Sequence, residues 1–208
     1  MAINFYLTSI AIHNIQNYLI LTMHNNTCKS LLGFHPIKCF QYRGGIHGTA
    51  QASNFESKDF IAKMHVRTYM IIEALQFGYS VLHSDIDVIF MKNPFDYINC
   101  KKEECDLTAL LDGHSLNAGF LFIHPSAITV YKCMAHLAAI YPSENDQIQL
   151  NKSVKKHVKK YKTLKVKRLP VEQFMCGKFF YDEGRRYFAD TMRPCPECVV
   201  VHNNWIRV

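Results

Sequence analysis

No apolar run in the chain approaches the ~18 residues of a membrane-spanning helix, which excludes such a span within these residues. Met1 to Ile12 carry no basic segment and no small-residue cleavage site, so no signal peptide is read there. There are no internal repeats, no low-complexity tracts and no linker-like stretch. One domain over 1–208 is therefore expected. Cys195-Pro-Glu-Cys198 has no second Cys-x-x-Cys to complete a zinc knuckle, so a local disulfide or two free thiols is expected instead. Basic residues are plentiful, yet no aromatic-interleaved motif accompanies them, so no nucleic-acid partner is expected.

What is present describes a globular composition, with 49% hydrophobic residues and a mean hydropathy of −0.08. The eight cysteines (Cys28, Cys39, Cys100, Cys105, Cys133, Cys176, Cys195 and Cys198) are even in number. That fits disulfides in an oxidising compartment, although connectivity is not readable from sequence. Asn25-Asn26-Thr27 and Asn151-Lys152-Ser153 are glycosylation sequons. The net charge of +7 is concentrated in Lys152, Lys155, Lys156, Lys159, Lys160, Lys162, Lys165, Lys167 and Arg168; the rest of the chain is slightly acidic. The first five of these recur at helical spacing. They read as a solvated helix face or as a patch for an anionic partner, such as an acidic glycan, a membrane surface or nucleic acid.

Hydrophobic periodicity predicts helices over Asn4 to His13 (with Asn4 as N-cap), Thr27 to Phe34 and Ser57 to Phe77. Further helices are predicted over Ser126 to Ile140 and from an N-cap signal at Ser143–Asp146 through Lys160. Strands are expected at Tyr18 to Met23, Ile37 to Tyr42, 80–84 leading into the run that ends at Phe90, Asp106 to Leu111, Ala118 to Ile123, Leu164 to Leu169 and Val199 to His202. Arg43 to Glu56, with Gly44, Gly45 and Gly48, reads as a loop, and Asp112-Gly113-His114 as a turn. Strands alternating with helices predict an α/β layer fold around a mostly parallel sheet, with ligands at the carboxyl ends of its strands.

The chemistry centres on Val81-Leu82-His83-Ser84-Asp85-Ile86-Asp87-Val88-Ile89-Phe90. Two bare carboxylates at a buried strand end repel each other and are costly to desolvate. A divalent cation removes that conflict, and strand alternation would turn Asp85 and Asp87 to one face. Oxygen ligands favour Mg²⁺ or Mn²⁺, and an ion with open positions commonly serves substrate phosphates. His83 shares the alternating face and reads as a packing or hydrogen-bonding residue.

Further polar groups follow in order: Asn117-Ala118-Gly119 entering a strand, Asp146-Gln147 at a helix start, and His202-Asn203-Asn204-Trp205 after Val199-Val200-Val201. This series, GY-VLHSDIDVIF-NPF, LNAGFLFI, NDQIQLN and VVVHNNWI, resembles the nucleotide-diphospho-sugar transferase domain of family 77 glycosyltransferases. It is more distantly similar to the galactosyl- and glucosyltransferases of family 8. The resemblance covers roughly residues 3 to 207. It implies a GT-A fold, one α/β/α domain that binds a sugar nucleotide and Mn²⁺ (or Mg²⁺). It implies metal ligation by Asp85, Asp87 and His202, and donor contacts from Arg67, Lys63, Asp112, Asn117, Ala118 and Gly119. Asp146 and Gln147 would stand near the sugar being transferred, with retention of anomeric configuration. The family begins with a strand that binds the base, whereas Met1 already stands at the first predicted helix. Its pattern continues past His-Asn-Asn-Trp to a glycine and a lysine, whereas this sequence reaches Arg207-Val208. A domain shortened at both ends is expected.

The resulting expectation is a metal-dependent glycosyltransferase that moves a sugar from a nucleotide-sugar donor to a glycan or glycoprotein acceptor. The resemblance implies work in the Golgi lumen, as a type II membrane protein whose anchor is not visible in this sequence. Two other readings remain: a non-catalytic protein that keeps the fold and binds a glycan or anion through 152–168, and a metal-dependent phosphohydrolase. The latter requires more ligands around the Asp pair.

Overall fold

The computed structural model of the protein describes residues 1–23, 25–33, 37–42, 53–54, 57–180 and 195–204. Most of the loop expected over Arg43 to Glu56, and the segment from Trp205 onward, lie outside the described residues.

The chain opens with α1 (Ala2–Phe5), which passes directly into a π-helix over Tyr6–Ala11. Met1, not Asn4, stands at the N-cap; Asn4 instead gives its backbone carbonyl to Thr8 Oγ1 (2.8 Å). β1 (Ile20–Thr22), α2 (Asn25–Leu32) and β2 (Cys39–Gln41) form a small parallel β-α-β unit, with a disulfide joining Cys28 to Cys39. α3 (Lys58–Gln76) starts where Ser57 Oγ accepts the Phe60 N–H (3.2 Å), an N-cap that satisfies an orphan donor. Gly78, at φ 83°, turns the chain after it, a conformation that suits a residue without Cβ.

β3 (Val81–Ser84), β6 (Ser115–Ile123), β5 (Leu107–Asp112) and β7 (Val166–Arg168) lie side by side in that order. β4 (Val88–Phe90), β9 (Val200–His202) and β8 (Phe174–Cys176) make a second sheet. The sheets are mixed: β3–β6, β5–β6 and β4–β9 are antiparallel, while β1–β2, β5–β7 and β8–β9 are parallel. The parallel majority expected from strand–helix alternation is thus an even division, because β5 and β6 form a hairpin through Gly113 instead of a helical crossover.

α4 (Ile128–Ile140) and α5 (Asp146–Tyr161) pack with α3 against one face of the four-stranded sheet. Leu107, Ala109, Leu121, Ile123, Val130, Met134 and Leu150 form the core there. On the other face Phe5, Phe90, Leu110, Phe120, Phe174 and Val200 form a second core. β6 contributes to both. Leu116 and Ala118 face the helices, and so do Leu121 and Ile123, so the two-residue alternation slips by one between them. The pairing with β5 slips at the same place: Ala109 opposes Leu121 while Leu111 opposes Leu116. A bulge of this kind re-aims the side chains within it, and it contains Asn117 and Gly119.

One further expectation changes, and one of the two alternatives for the Cys195–Cys198 pair is met. Asn151 is not an open glycosylation site. It lies within α5 and its amide is consumed by the backbone of Leu116 (Nδ2 to O 2.8 Å, N to Oδ1 3.0 Å) and the Gln147 carbonyl (2.9 Å). Cys195 and Cys198 form a disulfide, as do Cys100 and Cys105, while Cys133 and Cys176 are free. Among the described residues no helix is long and apolar enough to cross a membrane.

Candidate metal and donor site

Asp85 follows the last residue of β3, and Asp87 lies in the turn before β4. The two carboxylates do not share the face of one strand. The apolar run breaks into strands of two different sheets, and the turn between them brings the acids together. Its ends are held by Asp85 N–H to Gly119 O (2.7 Å), Val88 N–H to Asp85 O (3.3 Å) and Asn203 N–H to Asp87 O (3.0 Å). The last of these draws in the carboxyl end of β9, where His202 stands. One ligand atom from each of Asp85, Asp87 and His202 lies within 4.8 Å of the others.

The local hydrogen bonds determine which atom each residue presents. Gly119 N–H donates to Asn117 Oδ1 (2.7 Å), so that atom is the amide oxygen and only accepts. The same oxygen lies 3.1 Å from His202 Nδ1. Nδ1 must therefore carry the hydrogen, as in metal-bound histidines whose second nitrogen is held by an oxygen. His202 Nε2 then faces Asp87 Oδ1 at 3.3 Å. In a neutral ring that nitrogen is a lone pair directed at an anion, an arrangement that needs a proton or a cation between the two. Asn117 itself is 2% exposed, so it orients the imidazole from beneath.

Gly119 lets the site's side chains close in on the backbone. A Cβ there would lie 2.4 Å from His202 Cε1, 2.6 Å from Asp85 Oδ2 and 3.0 Å from Asn117 Oδ1. Two carboxylates and an imidazole nitrogen around such a cradle fit a divalent cation that also accepts oxygen ligands.

The other oxygen of Asp85 belongs to a different network. Arg67, in the middle of α3, donates through Nη1 to Asp85 Oδ1 and through Nε to Asp146 Oδ2. Asp146 is the first residue of α5, where a carboxylate also gains from the helix dipole. Burial alone would raise the Asp85 carboxyl. Arg67, then His83 and His202, outweigh it and hold the group well below the usual carboxylate range. Burial works likewise against charge on Arg67, and Asp85 and Asp146 keep its guanidinium protonated beyond its ordinary range. His83 Nε2 stands 3.3 Å from Asp85 Oδ1 and 3.4 Å from Arg67 Nη1, inside the site.

Gln147 links α5 to the sheet. Its Oε1 accepts the Ala118 N–H (3.2 Å) and its Nε2 donates to Asp112 Oδ2 (3.3 Å) at the end of β5. Arg67, Asp85, Asp87, Asp112, Asn117, Ala118, Gly119, Asp146, Gln147 and His202 thus form one connected group. Lys63, one turn before Arg67, donates to Ser53 Oγ (2.6 Å). The sequence reads His83 as a packing or hydrogen-bonding residue, and its contacts with Asp85 and Arg67 are of the second kind. The sequence has no signal for Tyr131 of α4, a phenol that burial keeps protonated beside Arg67 and Asp146.

A model of the nucleotide-diphospho-sugar transferase family matches residues 13–207. The chain belongs to that family. Among the relatives of this family member, arabinosyltransferase RRA2 of Arabidopsis thaliana is 30% identical over 115 residues, which is 52% of this chain and 24% of the relative. Beta-arabinofuranosyltransferase RAY1 of the same plant is 27% identical over 177 residues, 74% of this chain and 32% of the relative. The chain spans about a quarter to a third of the length of these curated relatives. The apo glycosyltransferase GlyE of Streptococcus pneumoniae TIGR4 superposes with a TM-score of 0.57 at 18% identity, over 100% of this chain and 53% of that one. A glycosyltransferase involved in glycosylation of the major capsid of PBCV-1 gives 0.51 at 14% identity, over 90% and 94%. At such identities the likeness establishes the fold: this nucleotide-diphospho-sugar transferase domain has the mixed α/β GT-A architecture.

Proposed function

We propose that the chain is the catalytic domain of a metal-dependent glycosyltransferase that moves a sugar from a nucleotide-sugar donor to a glycan or glycoprotein acceptor with retention of configuration. The observation that supports this most directly is the convergence of Asp85, Asp87 and His202, with His202 Nε2 3.3 Å from Asp87 Oδ1 and its Nδ1 held by Asn117. Asp85, Asp87 and His202 would hold the ion, and the imidazole in the set favours Mn²⁺ over Mg²⁺. A divalent ion there supplies Lewis-acid stabilisation of the charge that builds on a departing diphosphate.

The protein's own groups do the rest. Arg67 fixes Asp85 with one oxygen engaged and the other turned to the cradle. Gly119 lets His202 and Asp85 approach the backbone of β6 closely. Gln147 and Asp112, tied to each other at the mouth of β5 and α5, are the groups nearest a transferred sugar in this reading. Asp146, only 4% exposed and bound to Arg67, acts as a positioning residue. Three disulfides and the family membership support work in an oxidising lumen, the Golgi in this reading.

The test is a panel of nucleotide sugars screened by thermal shift with and without Mn²⁺, followed by donor hydrolysis or transfer. The wild-type protein is expected to gain stability with Mn²⁺ and to gain more when the donor is added to the ion, and Asp87→Ala to lose both gains while remaining folded. Unchanged donor binding in Asp87→Ala would overturn the proposal. A protein that binds glycan but neither hydrolyses nor transfers any donor is the non-catalytic alternative.

A further inference from the structure

The solvent face of α5 is unusual in its charge. The helix contains a single acid, Asp146 in its first turn, and five lysines, Lys152, Lys155, Lys156, Lys159 and Lys160, all exposed. Lys152 pairs with Glu144 (2.5 Å). Lys155, Lys156 and Lys159 have no acidic partner among the described residues. Lys152–Lys156, Lys155–Lys159 and Lys156–Lys160 are like-charge pairs at i, i+4, and each disfavours the helix it sits on. An ordinary solvated helix alternates its charges. Here the repulsion is left standing, and the helix dipole accounts only for the two lysines in the last turn. Lys152, Lys155 and Lys159 lie on one line that extends about 10 Å along the axis at 1.5 Å per residue.

We propose that this ridge is a binding surface for an acidic polysaccharide, a chain bearing uronate or sulfate groups. A linear polyanion complements a straight row of exposed ammonium groups, of which only Lys152 has an acidic partner among the described residues, and relieves their mutual repulsion. Other polyanions fit less well. Among the apolar residues of α5, Leu150 and Val154 are buried in the protein core, and the exposed Ile148, Val158 and Tyr161 make a smaller apolar surface than the wide stripe by which a helix enters a bilayer. The disulfides mark an oxidising compartment, whereas the anionic lipid surface faces the cytoplasm. The rings beside the ridge, Tyr141 and Tyr161, are each covered by a lysine, Lys152 at 5.4 Å and Lys160 at 4.9 Å, and are not open platforms for bases. α5 also carries Asp146 and Gln147 at its other end, so ridge and candidate site share one rigid element.

The experiment measures binding of the 208-residue chain to heparin and to polygalacturonate at low salt. Dextran, phosphatidylserine-containing vesicles and single-stranded DNA serve as competing probes. Both acidic polysaccharides are expected to bind and to be released by salt, and dextran not to bind. Lys155→Gln/Lys156→Gln/Lys159→Gln is expected to weaken binding on the order of 100-fold, at roughly fivefold per lysine, with no loss of thermal stability. Equal binding by the triple variant, binding of dextran, or tighter binding of vesicles or DNA would each overturn the proposal. The inference stands apart from the transferase reading, and the outcomes separate: the triple variant keeps any Mn²⁺-dependent donor shift, whereas Asp87→Ala loses that shift and keeps polysaccharide binding.

Discussion

Gly119→Ala adds one methyl group where the structure has least room for it. The Cβ would lie 2.4 Å from His202 Cε1 and 2.6 Å from Asp85 Oδ2. Gly119 does not occupy the left-handed region, so alanine suits its backbone and the strand gains roughly 0.5–1 kcal/mol from reduced chain entropy. Overpacking works against this at about 1–3 kcal/mol. The net loss of at most ~2.5 kcal/mol lowers the melting temperature by no more than ~10 °C in a protein of this size. The ion site suffers differently. The imidazole is a rigid ring held from behind by Asn117, and Asp85 is anchored by Arg67, so both ligands must leave their positions together. Even displaced supporting groups weaken metal sites about 10- to 100-fold. At Mn²⁺ a hundredfold above the wild-type Kd, binding stabilises the wild type by about 2.7 kcal/mol, a rise of roughly 5–11 °C. In the variant the same concentration gives at most ~1.4 kcal/mol. The assay is thermal unfolding of both proteins across a Mn²⁺ titration. If Gly119→Ala rises with Mn²⁺ as far and at the same concentrations as wild type, the cradle is not where the ion binds.

Arg67→Leu should destabilise the protein by about 3–5 kcal/mol in urea unfolding, because it leaves Asp85 and the nearly buried Asp146 without their cation. Arg67→Leu/Asp146→Asn should recover part of that loss, and strictly additive effects would contradict the coupling. His65, 9% exposed, is held below the usual imidazole range by burial, against smaller opposing pulls from Asp146 and the Pro142 backbone. The unfolded chain therefore takes up the proton first. Stability should be full above pH ~6.5 and fall below it by at most 1.4 kcal/mol per unit, about one proton's worth. His65→Leu should flatten the curve between pH 5 and 7, and an identical slope in both proteins would refute this.

The parts of the fold that were legible in the sequence are those whose cause is local. α3 announces itself through apolar periodicity, a serine cap at Ser57 and a stop at Gly78, and each behaves as its chemistry requires. β8 has only three residues, too few for a period to register, and it forms because Phe174 finds Phe120 and Leu110 across the second core. The Asp pair was found for one sound reason and one that fails. Two carboxylates in an apolar run do need compensation, but they converge through a turn between sheets and not through strand alternation. Glycine within a strand run is a recognised sign of a bulge, yet its consequence depends on partners far away. Asn117 reaches a histidine 85 residues later only because β6 slips its register against β5. That slip turns the amide oxygen toward Gly119 N–H and His202 Nδ1 at once, and the second contact decides which nitrogen of His202 keeps its lone pair. The acids identify a place where an ion could sit; the bulge brings the imidazole to that place. Any change that restores regular pairing between β5 and β6 would therefore leave Asp85 and Asp87 intact and still dismantle the site.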